Sequence, residues 1–124
     1  MLPYAEFEQL VAEALNELPP YFREKMENVA VLIRSWPSPA ELSRAKVPAG
    51  HTLLGLYQGV PLPGRTHYYN LVAPDTIILF QGPIERAAGP NPTRLRQQVR
   101  HTLLHELAHH FGISDDRLRE LGAY

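Results

Sequence analysis

The run His105-Glu106-Leu107-Ala108-His109-His110-Phe111-Gly112-Ile113-Ser114-Asp115 constrains this chain more than any other feature. The apolar residues around it, Leu95, Val99, Leu103, Leu107 and Phe111, recur at four-residue steps. That period predicts one long helix over 94–111, with its apolar stripe in a core. Gly112 follows where a left-handed residue ends a helix and redirects the chain. Any fold of this sequence must seat about five turns of helix and reverse direction directly after them.

The polar residues of the same run point to chemistry. Residues four apart on a helix are neighbours, so His105 and His109 present their imidazoles to one metal ion. Glu106 lies about 100° further round the helix, close to such an ion and positioned as a general base for its water. The turn at Gly112 brings Asp115, six residues after His109, back towards the same point. Asp116 is the competing third ligand, but the spacing favours Asp115 and leaves Asp116 to stabilise the next helix's N-terminus. His109 sits in the last turn, where the helix dipole favours a cation. At this chain's own residue frequencies, H-E-x-x-H followed by Gly and then His or Asp arises by chance in about 10⁻⁴ of such chains.

The rest of the chain is predicted as follows. Phe7, Leu10, Val11, Ala14, Leu15 and Leu18 mark an amphipathic helix over 3–18, stopped by Pro19-Pro20. A short helix over 21–27 precedes a compact apolar run, 29–33, expected as a buried strand. Ser38-Pro39-Ala40-Glu41 has capping-box spacing. Strands are expected over 52–58, 67–71 and 76–81, and loops over 60–65 and 82–93, where Pro and Gly cluster. A last short helix is expected over 115–121. The fold class is therefore α+β: a three- or four-stranded sheet on the long helix, as one domain over 1–124.

Composition removes several functions. There is no cysteine, which excludes disulfides, thiolate zinc sites and thiol nucleophiles. The net charge of −1 argues against a nucleic-acid or anionic-membrane partner. No apolar run approaches the ~18 residues of a membrane span, and no secretory signal is visible, so a cytoplasmic protein is expected. The remaining candidates read as structural. Arg94, Arg96 and Arg100 read as a solvated helix face, and His51, His67 and His101 as structural or surface residues. His110 reads as solvent-facing or outside the ligand set, and Gly55 and Gly59 as backbone bends.

With these motifs in view, the run 105–115 resembles the zinc-binding segment of the metzincin peptidases, with Asp115 in place of their third histidine. The segments 54–59, 74–80 and 105–122 resemble a family of short bacterial minimal zincins. The resemblance implies a small mixed sheet packed on the active-site helix, with N- and C-terminal helices. It implies zinc held by His105, His109 and Asp115, with Glu106 as base. The methionine turn of full metzincins has no counterpart, since Met1 and Met26 lie far upstream, and 15 residues follow His109.

The function expected is zinc-dependent hydrolysis of peptide bonds, in short or flexible peptides bound in a shallow groove along an exposed edge of the 76–81 strand. Two alternatives stay open. One is a zinc-binding interaction domain without turnover. The other is an Fe(II) enzyme, because two His and one carboxylate also make that triad. Substrate identity, oligomeric state and the electrophilic helper are not fixed, with Tyr57 and Tyr124 both possible for the last.

Overall fold

The computed structural model describes residues 1–48, 50–59 and 74–121. The first helix, α1 (Tyr4–Asn16), starts after Pro3 and buries Phe7, Val11 and Ala14. It lies against the long helix α5 (Pro92–Phe111). Arg96 of α5 ties the pair at the surface, 3.4 Å from Glu13 and 3.1 Å from Glu17. A short α2 (Pro20–Lys25) has Pro20 in its first turn, where no N–H is needed, and ends in a 3-10 turn over Met26–Asn28.

Strand β1 (Val29–Arg34) follows, then α3 (Pro39–Arg44). The capping box is complete. Glu41 N–H donates to the Ser38 hydroxyl at 3.1 Å, and Ser38 N–H donates to the Glu41 carboxylate at 2.8 Å. Strands β2 (Gly55–Gln58) and β3 (Asp75–Phe80) complete a mixed sheet of order β1-β3-β2 among the described residues. β1 runs parallel to β3, Val29 opposite Asp75, and β2 runs antiparallel to it, Gln58 opposite Thr76.

Three expectations are corrected. β3 is not an edge but the central strand, with hydrogen-bonded neighbours on both sides. Its residues Ile77, Ile78, Leu79 and Phe80 are fully buried, as a run apolar on both faces requires. A peptide therefore cannot extend the sheet from β3. The expected buried strand, β1, instead stands at an edge of the described sheet, with Leu32 47% exposed.

The third correction is that much of the loop expected over 82–93 is helix, α4 (Gln81–Ala88). Gly82 and Pro83 open this helix rather than break it. Pro83 falls in the first turn, where its missing N–H removes no helical bond. Gly82 is needed because a β-carbon there would overlap the Trp36 indole, and its N–H donates to the Ser35 carbonyl at 2.8 Å. Expectations for 60–65 and 67–71 lie outside the described residues.

The helix α5 begins at Asn91, whose side chain accepts the N–H groups of Thr93 and Arg94 at 2.9 and 3.2 Å. Leu95, Val99, Leu103, Leu104, Leu107 and Ala108 of α5 are buried with Phe7, Val11, Phe22, Ile77, Leu79 and Ile84. Phe111, expected in that stripe, is 42% exposed and lies under Lys25 Nζ, 4.6 Å from its ring centre. The core thus grips α5 up to Ala108. The last helix, α6 (Asp115–Glu120), is anchored by buried Leu118.

Candidate metal centre

Because α5 buries its leucine stripe, His105 and Glu106 fall at the margin of the core, half-buried, and His109 faces outward. The rings of His105 and His109 are 4.5 Å apart between centres and tilted by 55°. His101, one turn earlier, stacks 5.6 Å from His105, so the three imidazoles form a ladder along one face. Burial, with His109 and His101 nearby, holds the His105 pKa below the usual histidine value, and Asp115 partly opposes them. His105 is thus kept neutral, the form in which imidazole ligates metals. Its Nδ1 is buried with no hydrogen-bond partner. Buried polar atoms are nearly always satisfied, and an unpartnered ring nitrogen beside a second imidazole suits a donor set for a cation.

Glu106 lies under β2. Its Cγ would be 3.4 Å from a β-carbon on Gly55, and Thr102 Cγ2 would be 2.8 Å from the same atom. Gly55 therefore permits β2 to close onto α5, where the sequence suggested only a bend. That closeness buries the Glu106 carboxyl and pushes its pKa up to about 7. A carboxyl titrating near neutrality both accepts and returns a proton readily.

The turn after the helix is as expected. Gly112 has φ 67°, in the left-handed region. Ile113 N–H donates to the Ala108 carbonyl at 2.8 Å and Gly112 N–H to the His109 carbonyl at 3.3 Å, the paired bonds of a Schellman motif. Ser114 then caps α6, accepting Arg117 N–H at 3.2 Å. Asp115 opens α6, exposed, within electrostatic reach of His105. Asp116 points to Arg119, 3.3 Å away, in keeping with a role at the helix terminus. Among the described residues no three His, Asp or Glu side chains meet closely enough to hold an ion as they stand. The structure brings the His105 and His109 rings together, with Glu106 next in the chain to His105 and Asp115 acting on His105 electrostatically.

One constellation has no counterpart among the sequence expectations. The Tyr57 hydroxyl donates to Asp75 Oδ2 at 2.8 Å. His110 stacks on the Tyr57 ring, centres 3.9 Å apart and planes within 12°. Its Nε2 is 3.7 Å from the same Asp75 oxygen. Nothing local joins residues so far apart in the chain: the β2–β3 register brings Tyr57 near Asp75, and the packing of α5 on β2 brings His110 to them.

Residues 26–123 match the zincin-like metallopeptidase family. The chain belongs to that family. Its family segment starts at the 3-10 turn before β1 and takes in the whole sheet, α4, α5 and α6, so the H-E-x-x-H helix lies in the shared part. The zincin-like chain is also similar to a solved structure, a conserved hypothetical protein from Thermo thermophilus. The two share 25% identity over 89% of this chain and 94% of the other, with a TM-score of 0.54. No curated protein is similar enough to this chain to match it. No helix among the described residues is long and apolar enough to cross a membrane.

Proposed function

We propose that this zincin-like protein is a zinc peptidase in which His105, His109 and Asp115 hold the metal and Glu106 is the general base. The observation that carries this reading is the pair of His105 and His109 imidazoles, 4.5 Å apart between centres and one helical turn apart, with the half-buried Glu106 next in the chain to His105. Zinc in such a site acidifies water and polarises a carbonyl. Glu106 takes a proton from the attacking water at its carboxylate and returns it to the leaving amine, which balances the hydrolysis of one amide bond. The α5 dipole favours the cation at His109. Asp115, at the exposed start of α6 and within electrostatic reach of His105, would complete the set.

The strand that lies over Glu106 is β2, not β3. Among the described residues β2 is paired on one side only. An extended peptide lying along β2 would place its backbone over the Glu106 carboxyl, with main-chain bonds supplying affinity.

Two measurements test the proposal. Elemental analysis of protein purified without added metal should find one zinc per chain, lost in His105→Ala and in His109→Ala. Full zinc occupancy in either variant refutes the ligand assignment, and iron in the wild type points to the oxygen-activating alternative. Glu106→Gln should keep zinc and lose peptide hydrolysis by at least ~10², the low end for a general base. Wild-type hydrolysis in Glu106→Gln removes Glu106 as base. Stoichiometric zinc with no cleavage across a broad peptide library shows a binding domain instead.

A further inference from the structure

The last turn of α5 projects past its own buried stripe. Leu107 and Ala108 are buried, whereas His109, His110, Phe111 and Gly112 are exposed. Helix ends held only by their own backbone bonds fray, and opening there costs little free energy. Yet this turn carries His109, whose imidazole must hold one direction to serve a metal. A loose ligand loses affinity because binding has to order it.

The contact of His110 with β2 and β3 supplies a side-chain constraint on the face of this turn that Lys25 and the Gly112 turn do not reach. Tyr57 faces Ile77 across the ladder, and Asp75 lies two positions further along β3, a diagonal neighbour. The Asp75 carboxylate accepts the Tyr57 hydroxyl and so fixes the phenol ring. That ring presents a flat face to His110 at 3.9 Å, stacking distance rather than casual contact. Gly59 lies close to both partners: a β-carbon there would be 3.4 Å from His110 Cε1 and 3.8 Å from Asp75 Oδ1. The 3.7 Å gap from His110 to Asp75 exceeds hydrogen-bond length, so the ring stack is the main hold.

We propose that His110 is a positioning residue: clasped on Tyr57, which Asp75 anchors, it ties the last turn of α5 to the sheet and so orients His109. This rests on the metal-centre reading above. His110 neither binds the ion nor meets substrate. Its effect passes through one peptide unit to the neighbouring ligand.

The test uses the full chain with Tyr57→Leu, His110→Ala, their combination, and His110→Phe. Zinc affinity is measured by competition with a chromophoric chelator. Amide exchange of residues 109–112 is measured in the metal-free protein. Tyr57→Leu and His110→Ala should each weaken zinc binding about tenfold, the low end for residues that support metal ligands, and speed exchange in that turn. The combination should be no worse than either alone, because both break one contact. His110→Phe, which keeps a flat ring, should restore most of the affinity; a merely destabilised chain would not recover this way. Should Tyr57→Leu fail to fold, Tyr57→Phe keeps the ring, loses the Asp75 anchor, and should show a smaller loss of the same kind. Zinc affinity within twofold of wild type in His110→Ala, or unchanged exchange at 109–112, overturns the clasp. A wild-type chain that takes up no zinc refutes the metal centre instead, so the two failures are distinct.

Discussion

Replacing Gly55 by alanine asks how tightly β2 is closed onto the zincin helix. The new methyl would stand 2.8 Å from Thr102 Cγ2, 3.3 Å from the Ile78 carbonyl oxygen and 3.4 Å from Glu106 Cγ. Carbon pairs settle at about 3.5–4.0 Å, so the first contact is short by about 0.7 Å or more. Thr102 has nowhere to go: it is 5% exposed, and its hydroxyl donates to the Gln98 carbonyl at 2.8 Å. The Ile78 carbonyl belongs to the central strand and is equally fixed. Overpacking of this kind costs about 1–3 kcal/mol. At ~2.1 cal/mol/K per residue, unfolding 124 residues releases about 0.26 kcal/mol/K, so the melting temperature should fall by about 4–12 °C. Thr102→Ser removes the obstructing methyl. The double variant should therefore be more stable than the two single effects predict, by at least about 1 kcal/mol of coupling. Circular dichroism melts of the four proteins decide it. A Gly55→Ala protein melting within a degree of wild type, or strictly additive variants, would refute the close approach and with it the cause given for Glu106 burial.

Two further outcomes follow from local features. The Ser38 backbone N–H, with the Ser38 hydroxyl and Arg34, holds the Glu41 carboxyl below the usual carboxylate value, against the opposing effect of burial. A lowered folded value stabilises above the unfolded pKa and is lost as pH falls through the folded one. Glu41→Gln should thus cost ~0.5–2 kcal/mol at pH 7, with urea midpoints converging on wild type below about pH 4. Gly112→Ala forces a β-carbon into the left-handed region and should cost ~1–2 kcal/mol, with Gly112→Asn milder; equal urea midpoints would remove the backbone argument for this turn.

What could be read from the sequence was what neighbouring residues decide together. The helix over α5, its Gly112 stop and the Ser38 cap each rest on spacings of a few residues, and each stands where expected. The family resemblance rested on the same run and is matched over residues 26–123. The start of α4 defeats the local rule, under which Gly82 and Pro83 are breakers. Their actual reasons are Trp36, 46 residues earlier, and a first turn that needs no N–H. The place of β3 in the sheet was not readable either, because burial on both faces says nothing of which neighbours supply it. Ser114, the α6 cap, is hidden in the sequence by Asp115 and Asp116 beside it, which suit a helix start equally well. Tyr57, Asp75 and His110 carry no shared signal at all; their meeting depends on strand register and on how α5 packs on β2.

The strand order has a consequence for how the sheet can assemble. Gln58 and Thr76 pair across 18 residues, whereas Val29 and Asp75 pair across 46. The longer closure costs roughly 0.8 kcal/mol more chain entropy, so the ends of β2 and β3 meet roughly four times as often. This hypothesis gives an order of events that φ-values at Leu56 and Val31 would test, high at the first and low at the second. The half of the sheet that roofs Glu106 is then the half the chain closes first, and β1 is added to a strand already committed on its other side.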